Sequence, residues 1–208
     1  MNDWPLLLER ALRVAATAHH QQTRKASQLP YITHPVAVTM LLQQHGFDDE
    51  QTLAAALLHD VAEDTAVTLD ELAGKFPGPV VDLVRHLTER KRDETGAARP
   101  WEDRKREHLA HIGDAPLAAR AIVIADKLHN LRSMVCDLDE GGSLATRFNA
   151  PLERIFWYYE AIIDTAAGTD PRLNDLAAAA RGALADVRTW IGRGAGGAEP
   201  GGAEPTEH

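Results

Sequence analysis

The chain has a single cysteine, Cys136, in 208 residues, so no intrachain disulfide can staple it, and this usage fits a reducing cytoplasm. No apolar run reaches the roughly eighteen residues that a membrane span needs. The N-terminus also lacks the basic-then-apolar pattern of a signal peptide. A basic excess is missing too: 22 Lys and Arg face 31 Asp and Glu, a formal net charge of -9, which argues against general nucleic-acid binding. An anionic ligand is then held only where a local basic cluster overrides the overall field. Period-two alternation is scarce. What is present, an Ala- and Leu-rich text with apolar residues at helical spacing, predicts an all-α protein of the cytoplasm, with no membrane and no nucleic-acid partner.

Helices are expected over 4–20, from Pro35 to a cap at Gly46, and from Asp48 or Asp49 to about Thr65. Between the first two, 21–34 reads as an irregular loop around Pro30. Thr68 followed by Glu71 is a capping box opening TLDELAGKF, and Gly78-Pro79 opens PVVDLVRHLTER. Residues 91–100 are charged and contain Gly and Pro, as a loop does. Helices follow over 101–112, from Asp114 and Pro116 to the pair Gly141-Gly142, over about 150–166, and over about 172–192 after Asp170-Pro171. Residues 1–192 read as one domain. The end, 193–208, repeats GGAEP, has too little apolar surface to offset ordering entropy, and is expected to be disordered.

LLHDVAEDT at 57–65 sets four titratable groups into an apolar run, where unpaired charge is costly. On a continuous helix His59 lies above Glu63 and Asp60 above Asp64, while His59 and Asp60 are about 100° apart, within reach of one ion. An imidazole nitrogen with a carboxylate oxygen suits a divalent transition metal, and two ligands need others. Asp126 stands in the apolar text AIVIADKLHN, with His129 and Asn130 on its face, and His34 precedes Pro35. Each has a bland alternative: a chance His-Asp pair, an aspartate paired with an arginine, a capping histidine, a solvated helix end.

In order along the chain stand AHHQQTRKASQLPYITHPVAV (18–38), AAALLHDVAEDTAVTLDEL (54–72), DRKREHL (103–109) and IADKLHNLRSM (124–134). This text resembles the HD-domain phosphohydrolases, and within them the hydrolase domain of the RelA/SpoT proteins and the small stand-alone alarmone hydrolases. The resemblance implies a helical fold with one Mn²⁺ held by His34, His59, Asp60 and Asp126. It implies that Glu63 and Asp64 position and activate the attacking water, and that Asn130 contacts the nucleotide or orders the site. Arg24 and Lys25, in the loop before His34, match the pair that frames the base and phosphates. Arg104 and Lys105 form a second basic pair.

The activity so implied is removal of the 3′-pyrophosphate from guanosine tetra- or pentaphosphate, with no synthetase activity. The alternatives are an HD phosphohydrolase acting on another phosphorylated nucleotide or cofactor, and a nucleotide-binding sensor of low turnover. Intact Glu63 and Asp64 argue against the sensor. The sequence departs from the family at Gln28, where a glycine is common. Lys127 points away from Asp126 on a regular helix and is a weaker contact, and Lys91 and Arg92 read as solvated surface. Tyr31 reads as loop packing. Trp157, Tyr158 and Tyr159 read mainly as helix packing, with stacking on a base as the second use of one of the tyrosines.

Overall fold

The computed structural model describes residues 5–24, 28–141 and 151–195, with 194 and 195 described by backbone alone. Within them the chain is helical: α1 Leu6–Ala18, α2 Thr33–Gln44, α3 Glu50–Leu58, α4 Val61–Asp64 and α5 Leu69–Ala73. There follow α6 Gly78–Leu87, α7 Trp101–Ile112, α8 Leu117–Asp139, α9 Leu152–Ala167 and, after a 3-10 turn at Pro171–Leu173, α10 Asn174–Ala195. No helix among the described residues is long and apolar enough to cross a membrane. Lys25, Gly142 and the tail from 196 lie outside the described residues; the last helix runs to Ala195, three residues past its expected end.

The centre of the fold is α3. Every residue from Thr52 to Leu58 is buried, so this helix has no solvent face over that stretch. Ala54, Ala55 and Ala56, all fully buried, keep its girth small, and α1, α2, α6 and α8 pack around it. Helix axes approach closely only where side chains are short, and a buried alanine gives the minimum. α1 shows the opposite pattern, a single stripe of Leu8, Ala11 and Ala15 turned to the core. On the far side α8 packs against α2, α9 and α10, and buries ten residues between Ala119 and Leu138.

Local signals set most of the boundaries. The Asp49 side chain accepts the Thr52 N–H at the start of α3, and Thr68 and Glu71 close their capping box in both directions. α2 ends in a Schellman turn: the Gly46 N–H reaches the Gln43 carbonyl and the Phe47 N–H reaches the Leu42 carbonyl. Gly46 has φ +81°, which a side chain would strain. Two further boundaries depart from expectation, and the first is α6, read through Arg90, which ends at Leu87. The helix read as running unbroken to Thr65 stops at Leu58 and resumes at Val61. The Ala56 carbonyl, which a continuous helix would offer to the Asp60 N–H, takes the His59 Nδ1–H at 2.7 Å. Asp60 relaxes to φ -93°, ψ -8°, and becomes the N-cap of α4.

Candidate active site

Three segments meet at the break between α3 and α4: the first turn of α2 brings His34, the break itself His59 and Asp60, and the middle of α8 Asp126. His34 is 1 % and His59 5 % exposed. His34 Nε2 stands 3.1 Å from Asp126 Oδ1 and 3.5 Å from Asp60 Oδ2, and His59 Nε2 stands 3.2 Å from Asp60 Oδ2. One ligand atom each from His34, His59 and Asp126 all fall within 4.8 Å of one another, a spacing that one cation can bridge. The two carboxylates demand positive charge here. Burial works against a charged His59 ring, yet Asp60 and Asp126 outweigh it and push its pKa up to about 9. For His34 burial wins and its pKa falls.

The donor set fits a divalent metal on an independent observation. His59 Nε2 is buried and makes no hydrogen bond, while its Nδ1–H is committed to the Ala56 carbonyl. That commitment orients the ring and aims Nε2 into the cluster, where a metal ion would take the place of the Nε2 proton. Two imidazole nitrogens with carboxylate oxygens are ligands of zinc, iron or manganese alike. The surrounding contacts orient the same atoms. Tyr31 donates its hydroxyl to Asp60 Oδ2 at 2.7 Å, Asn130 donates to Asp126 Oδ1 at 2.6 Å, and His34 Nδ1 meets His129 Nδ1 at 2.7 Å. Tyr31 therefore does more than pack its loop.

A pocket of about 100 Å³ opens beside the cluster, lined among others by His59, Asp60, Glu63, Asp126, Lys105 and Lys127. Glu63 faces it from α4. Burial first, then the nearby Glu89 charge, raises its pKa, which suits a proton acceptor. Asp64 is more exposed and is not among the lining residues; it pairs with Lys91. Lys91 also reaches Glu63 Oε1 at 3.3 Å, so a residue read as solvated surface bridges the acidic pair. No local signal marks Lys91 out, because the loop that carries it returns to the site only through tertiary packing.

Arg24 comes into place through a two-residue pairing of its loop, Thr23 against Pro30, and donates to Asn130 Oδ1 at 2.7 Å. Its guanidinium lies 5.5 Å from the Tyr31 ring centroid. Lys105 lines this pocket and Arg104 does not; both are occupied, with Arg104 Nη1 3.1 Å and Lys105 Nζ 2.5 Å from the Glu89 carboxylate. Lys127 lies nearer than helix geometry suggests, 2.5 Å from Asp126 Oδ2 and over the Tyr158 and Tyr159 rings. Both tyrosines are buried in helix packing, whereas Trp157 is exposed.

The family model of the HD domain matches residues 11–147. The chain is similar to the guanosine-3′,5′-bis(diphosphate) 3′-pyrophosphohydrolase of Xenopus tropicalis, 38% identical over 144 residues, 68% of this chain and 76% of that one. The human protein of the same name is 34% identical over 171 residues, covering 81% and 89%. The GTP pyrophosphokinase of Streptomyces coelicolor is 40% identical over 127 residues, 61% of this chain but 14% of that protein. Among solved structures, a metazoan ortholog of SpoT that hydrolyzes ppGpp superposes with TM-score 0.75 at 26% identity, over 89% of this chain and 98% of that one.

Proposed function

The chain belongs to the HD-domain family, and on that premise we propose that it is a Mn²⁺-dependent hydrolase removing the 3′-pyrophosphate from guanosine tetra- or pentaphosphate. The observation that carries the reading is the cluster of the buried His34 and His59 with the part-buried Asp60 and Asp126, with Glu63 on the adjoining pocket wall. Similarity to proteins named as 3′-pyrophosphohydrolases of this nucleotide supports the substrate.

His34, His59, Asp60 and Asp126 would hold the ion. A divalent cation in such a site acidifies water and polarises a phosphoryl oxygen. Glu63 takes the proton from the attacking water, since it is near enough to the cluster to share its pocket and its raised pKa favours accepting one. Asp64, through Lys91, holds the outer edge of that arrangement. The water oxygen bonds to the phosphorus next to the ribose as the bond to the 3′-oxygen breaks, releasing pyrophosphate. Arg24 and Asn130, joined to each other and through Asn130 to Asp126, hold the nucleotide, with Lys25, the next residue in sequence, as a further cation. Lys105 and Lys127 supply positive charge on the pocket wall, and Arg104 stands behind it, paired with Glu89.

Incubation of the purified protein with Mn²⁺ and guanosine tetraphosphate, with products resolved by chromatography, tests this. Release of pyrophosphate and guanosine diphosphate is expected. Hydrolysis of a different phosphorylated nucleotide or cofactor in its place overturns the substrate and leaves the class. Metal binding without turnover of any nucleotide in a panel overturns both and points to a sensor.

A further inference from the structure

Residues 88–100 join α6 to α7, and from Arg90 to Ala98 every one is exposed. Glu89 is the exception just before them, a carboxylate only 8 % exposed. Three groups from one face of α7 surround it: Arg104 Nη1 at 3.1 Å, Lys105 Nζ at 2.5 Å and His108 Nδ1 at 3.3 Å. Burial opposes its charge, but His108 and Lys105 outweigh burial and hold the carboxyl well below the usual range. A buried anion this well paired fixes the backbone that carries it.

That backbone grips Glu63. The Glu89 N–H donates to Glu63 Oε2 at 3.0 Å, and Lys91, two residues on, reaches Glu63 Oε1 at 3.3 Å. Both oxygens of Glu63 are thus held from a segment anchored by the Glu89 side chain. Lys105 lines the same pocket as Glu63 and is turned to Glu89 instead.

We propose that Glu89 is a positioning residue for Glu63: paired with Arg104 and Lys105, it pins residues 88–91 to α7 so that its own N–H and the Lys91 ammonium set the Glu63 carboxylate, and it engages Lys105 so that this lysine does not become the counter-ion of Glu63. This rests on the proposed role of Glu63 as proton acceptor. The charged groups facing Glu63 are Asp60 and Glu89 on the anionic side and Lys91 and Lys105 on the cationic side. With Glu89 neutral, Lys105 is released toward Glu63 and quenches it as a base.

The test uses the full chain with Mn²⁺ and compares Glu89→Gln, which keeps shape and loses charge, with the double variant Glu89→Gln/Lys105→Met. In the single variant kcat falls about ten-fold or more, the scale of orphaning a buried charged partner. KM moves less than about three-fold, because ground-state binding is untouched. The acid limb of the pH profile moves to lower pH, and the double variant recovers part of the lost kcat. Unchanged kcat per folded molecule with a lowered melting temperature assigns Glu89 a structural role only and overturns the proposal. Should Glu89→Gln not fold, Glu89→Asp keeps the charge on a shorter arm and is expected to lose kcat at constant KM; unchanged kcat there overturns it equally.

A second readout is independent of substrate. Carbon-13 NMR of labelled glutamate side chains, with the Glu63 signal assigned through Glu63→Gln, follows the Glu63 titration in wild type and in Glu89→Gln, or in Glu89→Asp should the first not fold. A midpoint that falls in Glu89→Gln, or moves in Glu89→Asp, keeps the coupling even where the wild type leaves guanosine tetraphosphate intact, in which case the functional reading alone fails. An unmoved midpoint overturns the coupling.

Discussion

On one side of the pocket His34, His59, Asp60 and Asp126 project from the core helices α2 and α8 and from the end of α3, and the two histidines are almost wholly buried. On the other side Glu63 sits on the four-residue α4 and is held by the main chain and one lysine of an exposed loop. The first wall is fixed by packing, with side chains that have nowhere else to go. The second is fixed by charge, and its members have alternatives: Lys91 between Glu63 and Asp64, and Lys105 between Glu89 and the pocket. Ligands that must hold an ion through many turnovers suit the first. Groups that exchange partners with a highly charged substrate suit the second.

Substitution on the packed wall should have the largest effect. Asp126→Ala or His59→Ala is expected to lower kcat/KM at least ~10³-fold, since ion binding and the chemistry it supplies are lost together. Chelation of the wild type should do the same, with recovery on adding Mn²⁺. Retained metal stoichiometry in Asp126→Ala, measured by elemental analysis, would break the assignment. Next, Glu63→Gln should lower kcat by about 10²-fold or more while metal content stays unchanged. The comparison fails if the metal leaves with Glu63.

A structural test separates packing from charge. Leu58→Ala, at the fully buried end of α3, should cost about 2–5 kcal/mol in denaturant unfolding. Removing the exposed Lys91 by Lys91→Ala should cost well under about 1 kcal/mol and act on turnover instead. The pH profile sharpens the contrast. Burial and Glu89 raise the pKa of Glu63, and a proton acceptor works unprotonated, so activity is full at higher pH and is lost as pH falls through the raised value. An acid limb at or below the ordinary glutamate value would remove Glu63 from the role. The smallest effect is local: Thr68→Ala breaks the capping box of α5 and should cost about 1 kcal/mol, with kinetics unchanged.

The sequence made legible what is encoded locally or by motif. Thr68 with Glu71, Asp49 and Gly46 declared their boundaries, because caps depend on residues within one turn. Polar side chains inside Ala- and Leu-rich helices mark His34, His59, Asp60 and Asp126 as candidates, each with a bland alternative, and only the resemblance of the text around them to the HD-domain phosphohydrolases names all four as ligands. The structure brings the four together. The break after Leu58 was not legible, since it depends on one imidazole taking one carbonyl. Lys91 was hidden in a charged loop, and no spacing rule says where such a loop returns. Arg104 and Lys105 read as phosphate holders from their place in a segment that matches the family. Their pairing with Glu89, fifteen and sixteen residues away in sequence, is a fact of packing.

The three consecutive alanines of α3 set a limit on how such a protein can change. Every added methyl there moves one of four helices, and two of those helices carry the proposed ligands His34 and Asp126, so the proposed ion-binding half is constrained as a block. Outside Tyr31, Glu89 and Lys91, the connections that follow α1 and α6 are under no such constraint, because doubling the length of a surface loop costs only about 0.6 kcal/mol. New substrates are therefore reached by editing the two loops around an unaltered centre. Variation in specificity among chains of this architecture is expected to accumulate there first.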